Sequence, residues 1–171
     1  MKLVIGIDPG KAGGIVAIGS DDDPIYSHRA NGPDGYDGKG PANPSAYNDA
    51  LEMAWAAFGV RPSMVVLEIQ QAMPKQGVTS TFRTGCGYGI WLGALAARRW
   101  PYVVLRAKDW RKRAGITVPR GGDPKTATIA LVQARLPTLD LTPGRIRKPH
   151  DGIADAAGMA LAARALLAGG L

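Results

Sequence analysis

Cysteine, histidine and long apolar runs are all scarce in this sequence. One cysteine, Cys86, stands among 171 residues, so no intrachain disulfide can form, which fits a reducing cytoplasm. No stretch approaches the roughly 18 apolar residues of a membrane-spanning helix. Gly6 and Asp8 interrupt the N-terminal apolar run too early for a signal peptide. We therefore expect a soluble cytoplasmic protein with no membrane partner.

Acidic residues are outnumbered by basic ones. The 14 Asp and Glu residues stand against 21 Lys and Arg residues, which gives a net charge of +7 at pH 7. A basic domain of this size favours polyanions such as nucleic acid, although a solvated basic surface without a partner has the same composition. The length, together with 46% hydrophobic residues, predicts a single domain over residues 1–171.

The first ten residues combine a buried strand with a carboxylate. The apolar residues of 3–7 are typical of a strand covered on both faces, and Asp8 follows at its end before a Pro-Gly turn. An acid in that position either caps the turn or binds a cation. Strands at 15–18 and 25–29 would extend the first one into an antiparallel meander.

The same pattern of strand and acid occurs again after a helix. Apolar spacing predicts an amphipathic helix over 45–58, N-capped by Ser45 and with its aromatic side chains in the core. The apolar strand at 64–67 then ends on Glu68. Two acids at one edge of a sheet repel each other, and a bound cation or a raised pKa relieves that repulsion.

The rest of the middle segment alternates between polar and apolar stretches. We predict a loop at 70–83, a glycine-rich helix at 88–99 and a strand at 102–105. A strongly basic stretch follows over 106–125, and a helix is predicted over 126–136. These elements fit a sheet with helices on its faces.

Two further acids begin the final helix, predicted over 151–167. Asp151 and Asp155 are four residues apart, so both lie on one face near the helix N-terminus. Taken alone, Asp151 could be an N-cap and Asp155 a first-turn acid that interacts with the helix dipole. Together with Asp8 and Glu68, they favour a functional cluster of acids.

Three motifs resemble one family of nucleases. Gly-Ile-Asp-Pro-Gly at 6–10, Val-Leu-Glu at 66–68 and His-Asp-Gly-Ile-Ala-Asp-Ala at 150–156 are similar to the motifs of RuvC-type Holliday-junction resolvases, especially phage-borne members, in the ribonuclease H-like superfamily. The resemblance implies an α/β ribonuclease H-like fold, with a five-stranded mixed sheet flanked by helices. It also implies a homodimer and a divalent metal at an acidic site.

The resemblance assigns metal binding and catalysis to Asp8, Glu68 and Asp155. A common pattern in the family has a fourth ligand three residues before the final Asp, but here that residue is Gly152. Either Asp151 or His150 would have to replace it, and we favour Asp151 as the fourth catalytic acid.

The predicted ligands indicate the metal and the reaction. Carboxylate oxygens, with few His and no suitable Cys, favour Mg²⁺ or Mn²⁺ over zinc. Two such ions about 4 Å apart can activate water and stabilise the leaving 3′ oxygen of a phosphodiester. We therefore expect paired hydrolysis at a four-way DNA junction that leaves 5′ phosphates.

Basic and aromatic residues around the acids are candidates for DNA binding. Basic side chains would contact phosphates, and an exposed Phe could wedge between bases, although packing under the loop is an alternative for it. The candidates are Lys75, Phe82, Arg83, Arg111, Lys112, Arg120, Lys125, Arg145, Arg147 and Lys148.

The glycines of the 88–99 helix are candidates for a dimer contact. Gly89 and Gly93 are four residues apart and would let a partner helix approach closely, with Trp91, Leu92 or Leu95 packing nearby. A buried contact within one chain, against the sheet, is the competing explanation.

Three other functions would account for some of these sequence features. A less specific ribonuclease H-like nuclease acting on flaps or branched DNA would need the same acids. A non-catalytic DNA-binding module would explain the charge but not the acids. An actin-like or sugar-kinase ATPase also begins with a strand that ends in Asp-x-Gly, but it needs a duplicated domain for which this chain is too short.

Overall fold

The protein has a five-stranded mixed sheet with helices on both faces. The computed structural model describes residues 2–10, 12–20, 25–29, 43–144 and 147–169. The strands lie in the order β3-β2-β1-β4-β5, with β1 parallel to β4, β4 parallel to β5 and the remaining pairs antiparallel. The strands are β1 Leu3–Asp8, β2 Gly14–Ile18, β3 Ile25–Arg29, β4 Pro62–Glu68 and β5 Tyr102–Leu105. The predicted α/β fold with a five-stranded mixed sheet is confirmed.

Five helices in the described part of the chain cover the sheet. They are α1 Pro44–Ala56, α2 Val78–Ala97, α3 Ala107–Ala114, α4 Pro124–Arg135 and α5 Asp151–Leu167. Side chains alternate between the two faces of β1, so that Leu3, Ile5 and Ile7 pack with α1 and α2, whereas Val4 packs with α3, α4 and α5. None of the helices in the described part of the chain has the length and apolar character required to cross a membrane.

Several helix predictions were wrong in detail. Asn43, rather than Ser45, caps α1, because its side-chain oxygen accepts a hydrogen bond from the backbone N–H of Ser45. Trp55 on that helix is exposed instead of contributing to the core. The predicted loop at 70–83 ends early, since α2 begins at Val78, so that Phe82 lies on a helix.

Three of the four glycines of α2 face open space within the described part of the chain, whereas Gly87 is buried against the hydroxyl of Tyr47. A Cβ added to Gly85, Gly89 or Gly93 would meet no described atom within 4 Å, so a close intramolecular backbone contact does not explain them. Trp91 and Leu95, by contrast, are fully buried against the sheet, and the prediction that they are available to a partner was wrong. The side of α2 that faces away from the sheet, hereafter its open side, therefore carries Gly85, Gly89 and Gly93 but not Trp91 or Leu95.

Candidate active site

The sheet brings Asp8 and Glu68 to one edge and one face. Ile7 is paired with Leu67 in the parallel β1–β4 ladder, so the next residue on each strand is the acid at its carboxyl end. Val4 precedes Asp8, and Val66 precedes Glu68, by an even number of residues. Both valines pack in the hydrophobic core between the sheet and α5. Because side chains alternate along a strand, both acids belong to the α5 side of the sheet.

Helix α5 brings Asp155 to the same place because it lies almost directly on the backbone of β1. A Cβ on Gly6 would overlap the carbonyl oxygen of Ala156, the residue that follows Asp155. Only a glycine at this position of β1 lets the helix come so close. Asp8, Glu68 and Asp155 are hereafter called the acidic cluster.

Asp8 is more deeply buried than Asp155. The pKa of Asp8 is raised to about 7, mainly by burial; the Gly10 hydrogen bond lowers it, and the negative charges of Glu68 and Asp155 raise it. In that bond the Gly10 backbone N–H donates to Oδ1 of Asp8 at 2.9 Å. Asp8 therefore caps the turn after β1, which was one of the two roles predicted for it. It is also close enough to Glu68 and Asp155 for their charges to affect its pKa.

Asp155 has a similar environment with one compensating cation. Burial raises its pKa to about 6, while Arg111 lowers it and Glu68 and Asp151 raise it. The Arg111 guanidinium lies 4.0 Å from Oδ1 of Asp155 and only a fifth of its side chain is exposed. This arginine, predicted to contact DNA, is thus placed beside the acids.

Glu68 is held by a residue that the sequence did not point to. The indole Nε1–H of Trp110, on α3, donates to Oε2 of Glu68 at 2.7 Å. The segment containing Trp110 was recognised only as basic, and its helix was missed. Two signals were present, namely the four-residue spacing of Trp110 and Ala114, which are both buried, and Gly115 directly after them as a left-handed C-cap.

Asp151 and His150, the two candidates for the fourth metal ligand, each form a hydrogen bond within the protein. Asp151 is about half exposed, and its Oδ2 accepts a hydrogen bond from Nζ of Lys125 at 2.6 Å. That bond raises the pKa of Lys125. His150 is the N-cap of α5, where its Nδ1 accepts from the backbone N–H of Ile153 at 3.3 Å.

Solved structures of Holliday-junction resolvases are similar to this chain. T. thermophilus RuvC in complex with a Holliday junction substrate is similar with a TM-score of 0.65 and 16% identity, over 99% of this chain and 97% of that chain. The yeast mitochondrial Holliday junction resolvase Ydc2 is similar with a TM-score of 0.57 and 16% identity, over 96% of this chain and 78% of that chain. The chain has the ribonuclease H-like fold of RuvC. No family model and no curated protein matches the sequence.

The acidic cluster fits a hard divalent cation in charge and donor type. As the side chains stand, no three acidic, histidine or cysteine residues in the described part of the chain are close enough to hold one ion. Asp8 and Asp155 nevertheless each have a raised pKa to which Glu68 contributes, so a cation between the acids would relieve the repulsion. Carboxylate oxygens are the ligands that Mg²⁺ and Mn²⁺ prefer.

The predicted DNA-binding residues fall into two groups on the RuvC-like scaffold. Arg111 and Lys125 lie beside the acids, each within contact distance of one carboxylate. Lys112 is exposed on α3 next to Arg111. The others are exposed or half-buried: Lys75, Phe82, Arg83, Arg120, Arg147 and Lys148. Arg145 lies outside the described residues.

Proposed function

We propose that this protein is a divalent-metal-dependent endonuclease that resolves four-way DNA junctions and leaves 5′ phosphates. The observation that carries the proposal is the meeting of Asp8, Glu68 and Asp155 on one face of a RuvC-like sheet, with two acids whose pKa values are raised by burial and by neighbouring acids. Acids so arranged favour cation binding over any role in stabilising the fold.

Asp8, Glu68 and Asp155 would hold Mg²⁺ or Mn²⁺, with Asp151 as our choice for a fourth ligand. Two such ions would activate water and stabilise the leaving 3′ oxygen, without a covalent enzyme intermediate. For Asp151 to take part, its carboxylate has to leave Lys125. The freed lysine would then be available to a phosphate oxygen of the DNA.

The surrounding cations would bind the rest of the substrate. Lys112 is exposed one residue after Arg111, and Arg147 and Lys148 are exposed shortly before α5. With a net charge of +7, the chain can neutralise several phosphates. These contacts would position the junction without reading its sequence.

The partner chain would be a second copy of this protein. Resolution of a four-way junction into two duplexes needs a nick in each of two symmetry-related strands, and one chain has one acidic cluster. The open glycines of α2, at 85, 89 and 93, offer a surface on which a partner helix can approach closely. We therefore place the two-fold contact on α2.

The test compares cleavage of synthetic four-way, flap and linear duplex DNA of matched sequence in Mg²⁺ or Mn²⁺, with EDTA as the control. We expect the four-way junction to be cut in paired, symmetric positions and the linear duplex to remain intact. Equal cutting of flap and junction would indicate a less specific nuclease. Binding without cutting in both metals would indicate a non-catalytic DNA-binding module.

A further inference from the structure

Trp110 is a fully buried side chain whose only polar group is directed at an acid. Its Nε1–H donates to Oε2 of Glu68 at 2.7 Å, which is short for a nitrogen donor and typical of a charged acceptor. Trp91 is equally buried, in the hydrophobic core on the α1 and α2 side of the sheet. Its Nε1 has no hydrogen-bond partner in the described part of the chain. Burial alone therefore does not require an indole to be paired in this protein.

The surroundings of Trp110 fix its ring in place. A Cβ on Gly158 of α5 would lie 2.7 Å from Cζ3 of Trp110, so the ring occupies space that any other residue at 158 would fill. The guanidinium of Arg111 lies over the ring, 4.7 Å from its centroid. A large aromatic ring held in this way offers little freedom to its N–H.

The contact links α3 to the end of β4. Glu68 is the last residue of its strand, and the Trp110 hydrogen bond joins its side chain to α3. An N–H donor on one oxygen limits the rotation of the carboxylate and leaves its other oxygen able to bind a cation. Neighbouring groups that orient ligands in this way typically raise metal affinity by about 10- to 100-fold.

We propose that Trp110 is a positioning residue that holds Glu68 in the orientation required for binding a divalent cation. The proposal rests on the proposed function, in which Glu68 is a metal ligand. Consecutive residues of one helix then serve two acids, because Trp110 contacts Glu68 and Arg111 lies near Asp155.

The first test measures Mn²⁺ affinity by calorimetry, without DNA, in Trp110→Phe and in the matched control Trp91→Phe. Both variants remove the same atoms from fully buried positions, but only Trp110→Phe also removes a hydrogen bond to an acid. We expect Trp110→Phe to bind Mn²⁺ about 10- to 100-fold more weakly than wild type, and Trp91→Phe to bind it as wild type does. Equal affinities of the two variants would overturn the proposal.

The second test follows the indole N–H resonances of the metal-free protein and does not depend on metal binding or on the folding of a Trp110 variant. Glu68→Gln should shift the Trp110 resonance and leave those of Trp55, Trp91 and Trp100 in place. An unmoved Trp110 resonance would show that the contact does not exist in solution. If wild type binds no Mn²⁺ while the resonance does shift, the proposed metal site fails and the Trp110 contact remains, but its role in positioning a ligand is rejected.

Discussion

Gly152 lies directly against Gly13, with which it forms an isolated parallel β-bridge. A Cβ on Gly152 would overlap the carbonyl oxygen of Ala12, so no side chain fits at this position. The contact fixes the start of α5 against the loop that follows Asp8. It also explains why an acid is absent from position 152, where a common pattern of RuvC-type resolvases would have one, and why any fourth acid has to come from a neighbouring residue.

Replacing Gly152 should therefore destabilise the protein. Because the clash is with backbone, Gly152→Ala should lower the free energy of unfolding by about 1–3 kcal/mol, the usual cost of overpacking. Gly77→Ala is the matched control, since a Cβ there would meet no described atom within 4 Å and the backbone has a negative φ, so this change should alter the free energy of unfolding by at most about 1 kcal/mol. Urea denaturation of the two variants would measure the difference. A Gly152→Ala variant as stable as wild type would contradict the close contact.

The metal-free protein should lose stability as pH rises. Burial raises the pKa of Asp8 from 3.8 to about 7, so the folded state binds this proton more tightly than the unfolded state. The resulting cost to folding is absent below about pH 4, grows up to about pH 7 and is constant above it. Each unit of difference between the folded and unfolded pKa of Asp8 lowers the free energy of unfolding by about 1.4 kcal/mol. The loss of stability above pH 7 is therefore at most about 4 kcal/mol.

Asp8→Asn should remove the part of the pH dependence that comes from Asp8, whereas Asp155, whose pKa is raised to about 6, keeps its own contribution. In EDTA, the variant should be more stable than wild type at pH 8, and the difference should shrink as the pH is lowered towards 5. Thermal unfolding at both pH values would measure it. Parallel pH profiles for the two proteins would mean that Asp8 ionises normally.

Asp151 and His150 should respond differently to substitution. We expect Asp151→Asn to weaken Mn²⁺ binding, because it removes the proposed fourth ligand. His150→Ala should leave Mn²⁺ binding unchanged and lower stability by about 1 kcal/mol, because the N-cap bond to Ile153 is lost. Calorimetric titration with Mn²⁺ distinguishes the two, and the reverse result would make His150 the fourth ligand.

The open side of α2 should control the oligomeric state. Gly93→Leu adds a side chain where the chain itself leaves space, so the variant should fold but block the approach of a partner helix. We expect it to sediment as a monomer that binds metal and no longer makes paired nicks. Ala130→Leu, at an exposed position of α4, is the control and should remain dimeric. A wild-type protein that is monomeric with and without junction DNA would exclude the dimer.

The sequence pointed to the acids but not to the groups that hold them. Asp8 and Glu68 could be found because each ends an apolar strand, and alternation along those strands also puts them on one face of the sheet. Trp110 was missed because charged residues dominate α3 and conceal its two buried positions. The contact between Gly152 and Gly13 could not be predicted either, because it depends on the distance between two segments that are far apart in the sequence.

The central claim is most directly tested by cleavage of a four-way junction with the acids replaced one at a time. Asp8→Asn, Glu68→Gln and Asp155→Asn should each lower the Mg²⁺-dependent rate by at least about 100-fold, the upper end of what groups that only support metal ligands contribute. Junction binding should be retained or tightened, because repulsion between carboxylate and phosphate is reduced. Asp49→Asn, on the exposed surface of α1, should cut as wild type does. Wild-type cleavage by any of the three variants would contradict the role proposed for that acid.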